Sequence, residues 1–365
     1  RNNGDGTFTD VSRQTGLIAD GFVKGAVWGD INNNGLQDLY VSRMGEPNLL
    51  FVNQGPDEHG RWTFAEQSAQ AGVGEPMASF TSWFWDFNQN GFEDLFVSGY
   101  FMDPGDTARE YLGMQPLGER PRLYRNNGDG TFTDITQEAG LWKLMYTMGA
   151  NFGDFNNSGY PDMYLGTGDP DLQALMPNRA FLNQGDGRFA EVTLQSRLGH
   201  LQKGHAVSFA DFNHNGRADI HANIGGALEG DNYMNAFFVN QAAGENWISL
   251  ELRGRESNRA GLGARIRVEA EEEPGFVRFT TVRSGGSFGA SPLRQHVGLA
   301  GYSGSIRAEV RWPSGQVTVH EGLAPRQHWL LDENGDAQPL NRPAFAYRSD
   351  GQTGAAHGNH AGHGH

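Results

Sequence analysis

Four acidic nonapeptides decide how this chain is read: D-I-N-N-N-G-L-Q-D at Asp30–Asp38, D-F-N-Q-N-G-F-E-D at Asp86–Asp94, D-F-N-N-S-G-Y-P-D at Asp154–Asp162 and D-F-N-H-N-G-R-A-D at Asp211–Asp219. Each lies between two apolar runs. Oxygen-bearing side chains occupy positions 1, 3, 5 and 9, and glycine holds position 6. A hard cation needs oxygens at such spacing from a short loop, and the glycine permits the sharp turn. The expected ligand sets are Asp30, Asn32, Asn34, the Leu36 carbonyl and Asp38; Asp86, Asn88, Asn90, the Phe92 carbonyl and Asp94; Asp154, Asn156, Ser158, the Tyr160 carbonyl and Asp162; and Asp211, Asn213, Asn215, the Arg217 carbonyl and Asp219. All-oxygen ligation favours Ca²⁺ over the smaller octahedral Mg²⁺, with up to four sites. The competing reading is an Asx-rich turn held by its own side chains. Asn or Ser at positions 3 and 5 leaves two carboxylates per loop. The sites are therefore expected to be weak, with dissociation constants of roughly 10⁻⁴–10⁻³ M. Ser158 makes the third loop the poorest of the four. The expected role of the metal is structural, fixing the hairpin between two strands, with Trp85, Phe87, Leu95 and Phe96 beside it as core.

The loops also count an architecture. They begin at Asp30, Asp86, Asp154 and Asp211, at intervals of 56, 68 and 57 residues. An N-x-G motif alternates with them, at Asn2, Asn53, Asn126 and Asn183, with a degraded N-Q-A at Asn240. Each unit reads as four short strands; in the first they are Gly25–Gly29, Leu39–Ser42, Leu49–Asn53 and Trp62–Glu66. G-D-G turns supply the positive φ of tight hairpins between third and fourth strands. Four-stranded units at this period predict β-propeller blades, at least four of them. The last unit lacks its outer strand, whereas the chain opens on an orphan T-F-T-D. Either that N-terminal strand closes the ring or upstream blades are missing. The opening R-N-N-G-D-G-T-F-T-D, repeated letter for letter at Arg125–Asp134, suggests a processed or incomplete form of a longer precursor.

Past Asn246 the acidic loops cease and Arg residues cluster. Trp247–Leu252, Ala264–Ala270, Phe276–Arg283, Ser305–Trp312 and His328–Asp332 read as strands of a second β domain. The expected division is a propeller over 1–243, a β domain over 244–335 and an irregular His-rich tail over 336–365. His357, His360, His363 and His365 of that tail could capture a transition metal weakly. His200, His205, His214 and His221 match no zinc spacing and read as structural or surface groups.

With these motifs in view the chain resembles known proteins. W-G-D-I-N-N-N-G-L-Q-D-L-Y-V from Trp28 and N-F-G-D-F-N-N-S-G-Y-P-D-M-Y-L from Asn151 resemble FG-GAP (VCBS-type) repeats, as in integrin α-chain propellers. The stretch from Gly199 to Gly216 and N-W-I-S-L-E-L-R-G-R-E-S-N-R-A-G-L-G-A-R-I-R-V from Asn246 are similar to bacterial proteins of the cartilage acidic protein family, which end in an ASPIC/UnbV domain. That domain's second signature is G-G-S-F-G-A-S-P-L-R-Q-H-V-G-L-A from Gly285, followed by V-R-W-P-S-G from Val310. The resemblance implies an extracellular binding platform and attaches no chemistry to the second domain.

Bulk composition narrows the function. A formal charge of −15 argues against nucleic acid as partner, and four divalent cations would bring it to about −7. There is no cysteine, hence neither a disulfide nor a cysteine metal site. No apolar run approaches the length of a membrane span. No nucleophile elbow, phosphate loop or dinucleotide fingerprint is present, so no catalytic residue is assigned and a non-enzyme is expected. The long segments at Gly166 and Asp103–Pro121, with Asp103, Asp106, Asp169 and Asp171, are candidates for a binding face. The expectation is a secreted, cell-surface or periplasmic calcium-binding module that engages another protein or a surface assembly. A carbohydrate-binding propeller and a polysaccharide-active enzyme are the alternatives.

Overall fold

A computed structural model describes residues 1–168, 176–226, 229–230, 233–242 and 244–347. The fold is all-β, and each acidic loop joins the first two strands of a sheet. The first blade is β1 (Phe22–Gly29), β2 (Asp38–Met44), β3 (Leu49–Pro56) and β4 (Trp62–Glu66), paired antiparallel in that order. The second is β5 (Ser79–Trp85), β6 (Asp94–Gly99), β7 (Arg122–Asn126) and β8 (Phe132–Asp134). The third is β9 (Thr147–Gly153), β10 (Asp162–Thr167), β11 (Arg179–Asn183) and β12 (Phe189–Glu191). The fourth, expected to lack its outer strand, pairs three among the described residues: β13 (Gly204–Ala210), β14 (Asp219–Ile224) and β15 (Ala236–Phe238).

The first strands gather in sequence, β1 against β5, β5 against β9 and β9 against β13. Two devices cement each junction. The aromatic two residues before each loop packs back onto the preceding blade. Phe84 meets Tyr40 with ring centroids 6.4 Å apart, Phe152 meets Trp83 at 5.8 Å, and Phe209 stacks on Phe155 at 6.5 Å. The Asn of each N-x-G motif also spans two loops. Asn126 Nδ2 donates to the carbonyls of Ile31 and Glu93, Asn183 Nδ2 to Phe87 and Pro161, and Asn240 Nδ2 to Phe155 and Ala218. The N-x-G motif is thus a joint between blades as well as a turn.

Among the described residues, blade 1 shows these devices with no blade packed on that side. Trp28, the counterpart of the fully buried Phe84, is 49% exposed, and its ring meets Phe64 of its own sheet at 6.1 Å. Asn53 Nδ2 reaches its own loop at Gln37 O and, among the described residues, no other. The N-terminal strand does not close the ring on β15. Arg1–Thr9 instead turns back on itself through an Asn2–Phe8 bridge, and helix α1 (Ser12–Thr15) beyond it packs on β4.

The second domain has eight strands where five were expected: β16 (Asn246–Arg253), β17 (Arg265–Ala270), β18 (Val277–Thr281), β19 (Gln295–Ala300), β20 (Ile306–Arg311), β21 (Val317–Leu323), β22 (His328–Asp332) and β23 (Ala337–Leu340). They form two sheets, ordered β19-β16-β22-β23 and β18-β17-β20-β21, over a shared core that includes Ile248, Leu250, Ile266, Val268, Val310 and Leu331. The stretch read as irregular from residue 336 therefore begins with a paired strand, β23 on β22. Beyond it Phe345 N donates to Asn213 O, and the Tyr347 phenol reaches Asp219 Oδ2 at 3.1 Å, so this segment straps the fourth loop.

Candidate metal centre

Each loop repeats one hydrogen-bond pattern. The position-1 carboxylate accepts the N–H groups of positions 5 and 6: Asp30 from Asn34 (3.1 Å) and Gly35 (2.9 Å), Asp86 from Asn90 (3.0 Å) and Gly91 (2.7 Å), Asp154 from Ser158 (3.0 Å) and Gly159 (2.6 Å), Asp211 from Asn215 (2.9 Å) and Gly216 (2.8 Å). Position 3 (Asn32, Asn88, Asn156 or Asn213) accepts the position-5 N–H, and position 5 (Asn34, Asn90, Ser158 or Asn215) accepts that of Leu36, Phe92, Tyr160 or Arg217. Position 9 ties the loop to the third strand: Asp38, Asp94, Asp162 and Asp219 accept the N–H of Asn53, Asn126, Asn183 and Asn240, each at 2.8 Å. The structure thus orders the side chains at positions 1, 3, 5 and 9 on one turn. Glycine at position 6 has φ near +85° in all four, at Gly35, Gly91, Gly159 and Gly216.

These bonds satisfy the Asx-turn reading, but the carboxylates carry an unrelieved cost. Burial pushes Asp38 up to about 6, with Asp30 nearby adding to the rise. Burial likewise raises Asp86 to about 7 and Asp154 to about 6. Asp94 and Asp162 lie well above the usual carboxylate range, again through burial first and then through the partner carboxylate of the same loop. Asp30 and Asp219 are raised for the same first reason. Asp94 Oδ2 is buried with no hydrogen-bond partner. Paired buried carboxylates with spare lone pairs are the donor chemistry a divalent cation relieves. Among the described residues no three His, Asp or Glu side chains converge, so a cation here would depend on Asn, Ser and backbone oxygens. The donor sets fit calcium on that basis at the first, second and fourth loops.

Sequence reading missed three parts of this region. Position 4 adopts left-handed φ in every loop (Asn33, Gln89, Asn157, His214) and reaches outward. Asn33 Nδ2 donates to Gly91 O of the next loop at 3.0 Å, and Asn157 Nδ2 to Gly216 O at 2.8 Å. Glu93, at position 8 of the second loop, is buried and pairs with Arg283 of the second domain. Lastly, the second domain lies over the loops. Gln89 exchanges hydrogen bonds with Phe279, Arg278 Nη2 donates to Ser158 O, Arg294 Nη2 donates to Asp211 O, and Trp247 sits on Gly216. A cavity of about 140 Å³ remains between the bodies, lined by Asp86, Asp154, Asp211, Arg265 and Arg294 among others. The one available signal was the Arg-rich composition past Asn246.

The weaker candidates separate. Asp106 is a loop-closing carboxylate, accepting the N–H groups of Asp103, Leu117 and Gly118 and pairing with Arg109. Asp169 and Asp171 and the tail histidines His357, His360, His363 and His365 lie outside the described residues. His214 packs between the rings of His328 and Phe345, and His200 against Tyr233. No helix among the described residues is long and apolar enough to cross a membrane.

Comparison with known proteins agrees with this anatomy. Residues 86–165 and 164–222 match the FG-GAP-like repeat family, and residues 254–338 match the ASPIC and UnbV family. Cartilage acidic protein 1 of Mus musculus is 25% identical over 340 residues, covering 88% of this chain and 47% of that protein. The Homo sapiens protein of the same name is 24% identical, over 88% of this chain and 46% of its own length. The chain spans about half the length of these relatives. The chain thus joins FG-GAP-like repeats in its propeller to an ASPIC and UnbV domain, and over most of its length it is similar to cartilage acidic protein 1.

Proposed function

We propose that this protein is an extracytoplasmic protein-interaction module whose propeller is stabilised by calcium. The observation that carries the interaction reading is a division of labour between the propeller's two ends. The acidic loops join first and second strands, and the second domain covers that end. The loops joining second and third strands emerge at the other. There the insertion of blade 2 carries α3 (Asp106–Tyr111), with Tyr111 88%, Leu112 74% and Met114 57% exposed. Apolar side chains exposed together suit a protein partner. The FG-GAP repeats and the relationship to cartilage acidic protein 1 support the same reading, as well as a secreted or surface location and the absence of catalysis. Capture of native partners on the immobilised protein, identified by mass spectrometry, tests this. Leu112→Asp with Met114→Asp is expected to lose specific partners that the unaltered chain retains, and an unchanged set removes this face from the proposal.

The calcium reading rests on the hydrogen-bond pattern the loops share and on their largely buried carboxylates at positions 1 and 9. A cation that binds only the folded state raises its stability by roughly 1–2 kcal/mol per site at about 5 mM calcium, given the weak affinities expected. EGTA is therefore expected to lower the melting temperature relative to calcium buffer, and coincident melting curves would refute structural calcium. A glycan reading draws on the stacked Tyr100–Tyr146 pair, 4.8 Å apart at the same end as α3; glycan-array binding lost in Tyr100→Ala would favour it.

A further inference from the structure

The four loops have the same backbone but not the same neighbours. In the first, Asn32, Asn34 and Gly35 are exposed and the loop borders an open space of about 270 Å³. In the third, Asp154, Asn157, Gly159 and Asp162 are all buried. Two strands of the second domain close over it. From β19, Gly298 lies so near that a Cβ there would strike Asp154 Oδ2, and Ala300 N donates to Asn157 O at 2.8 Å. From β18, the Arg278 side chain lies across the turn itself. Its Nη2 donates to the carbonyl of Ser158 at 3.2 Å, its guanidinium stands 4.5 Å over the Tyr160 ring, and a Cβ on Gly159 would collide with its Nε. That Nε is buried without a hydrogen-bond partner. The guanidinium thus rests on positions 5, 6 and 7, the arc a cation would draw inward. Position 5 here is Ser, whose hydroxyl already accepts Tyr160 N–H and points toward Tyr160 O at 3.4 Å. A permanent cation at this point offsets the charge of the buried Asp154 and opposes entry of a second positive ion.

We propose that the third loop is a metal-free copy of the calcium site, in which Arg278 of the ASPIC/UnbV domain supplies the positive charge that a divalent cation supplies to the first loop. The assignment rests on the calcium reading for its contrast, and the two fail separately. Calcium stoichiometry of the full chain, by isothermal titration and native mass spectrometry, is the first measurement. Asp154→Asn with Asp162→Asn is expected to leave the number of bound ions unchanged, whereas Asp30→Asn with Asp38→Asn removes one. Arg278→Met is expected to add one ion, which the Asp154/Asp162 changes then abolish. Loss of an ion from the otherwise unaltered chain on changing Asp154 and Asp162 overturns the inference. No loss on changing Asp30 and Asp38 overturns the calcium reading at the first loop instead. A second arm needs no calcium. In EGTA, Arg278→Met is expected to lower the melting temperature by several degrees, and by clearly less where Asp154 and Asp162 are already Asn. Additive effects would show that Arg278 is not their countercharge.

Discussion

Glu93→Ala is expected to cost about 3–5 kcal/mol, the range for stranding one partner of a buried ion pair. Glu93 occupies a position that its own nonapeptide does not require, since the other loops carry Gln37, Pro161 and Ala218 there. Its carboxylate does three jobs. Oε2 accepts the N–H of Asp30 at 3.0 Å, which links the second loop to the first. Oε1 accepts the Thr281 hydroxyl at 2.6 Å and pairs with the Arg283 guanidinium, which links both loops to the second domain. Without it, Arg283 keeps the Phe84 carbonyl at 2.6 Å but is left largely buried with an unmatched charge. Glu93→Gln retains an acceptor for Asp30 and is expected to cost less. Glu93→Leu with Arg283→Met removes both charges and should recover much of the loss, because replacing a buried pair by apolar groups is often near neutral. Urea denaturation with an unchanged m-value is the appropriate readout. A loss below about 1 kcal/mol for Glu93→Ala would place the pair among surface-like bridges of little value.

Much of the propeller was legible because its information is local and repeated. Asp at positions 1 and 9, Gly at position 6 and the N-x-G turn each act within a few residues, and four copies fixed the blade count and the loop geometry. Long-range partners were not legible. Glu93 reads as one more loop acid until Arg283, 190 residues away, is placed against it. The second role of Asn126, Asn183 and Asn240 depends on the preceding blade's loop, which no single repeat contains. Three strands of the second domain, β19, β21 and β23, escaped notice, the first two for different reasons. Val317–Leu323 alternates correctly, but its outward positions include Val317 and Val319, which blur the pattern. Gln295–Ala300 lies inside a family signature and carries close-approach glycine at Gly298. The loops could be proposed as cation sites from sequence, but the arginines that approach them could not be foreseen, because their neighbourhood is made by a separate domain.

The glycine-rich signature Gly285–Ala300 has a physical reason, and Gly289→Val is expected to reveal it as a loss of roughly 4–8 kcal/mol from lost bonds, strain and overpacking together. Residues 284–291 run along the first strands of all four blades. Ser287 Oγ lies close to Gly25 of β1, Ser287 N donates to Ser82 O at 2.9 Å, and Ser82 N donates to Ser287 Oγ at 3.0 Å. Ala150 N of β9 donates to Phe288 O at 3.2 Å, and Phe209 N of β13 donates to Ser291 Oγ at 3.1 Å. Phe288 also packs on Phe80 with ring centroids 5.3 Å apart. The segment therefore caps strand edges that would otherwise present unpaired backbone groups. Gly289 has φ +146°, and a Cβ on it would run into Val207 O, with Val207 N and Ala150 O 3.0 and 3.1 Å away. These are backbone atoms of two different blades, so neither can yield without opening the junction between β9 and β13. Valine there must lift the segment and forfeit its bonds to β5, β9 and β13 together. Calorimetry is expected to show the propeller and the second domain melting as one transition in the unaltered chain and as two in Gly289→Val. Gly301→Val is the control, since a Cβ there meets nothing within 4 Å; it is expected to cost under about 1 kcal/mol. A single transition at an unshifted temperature in Gly289→Val would mean that the segment merely lies on the propeller and does not hold the two domains together.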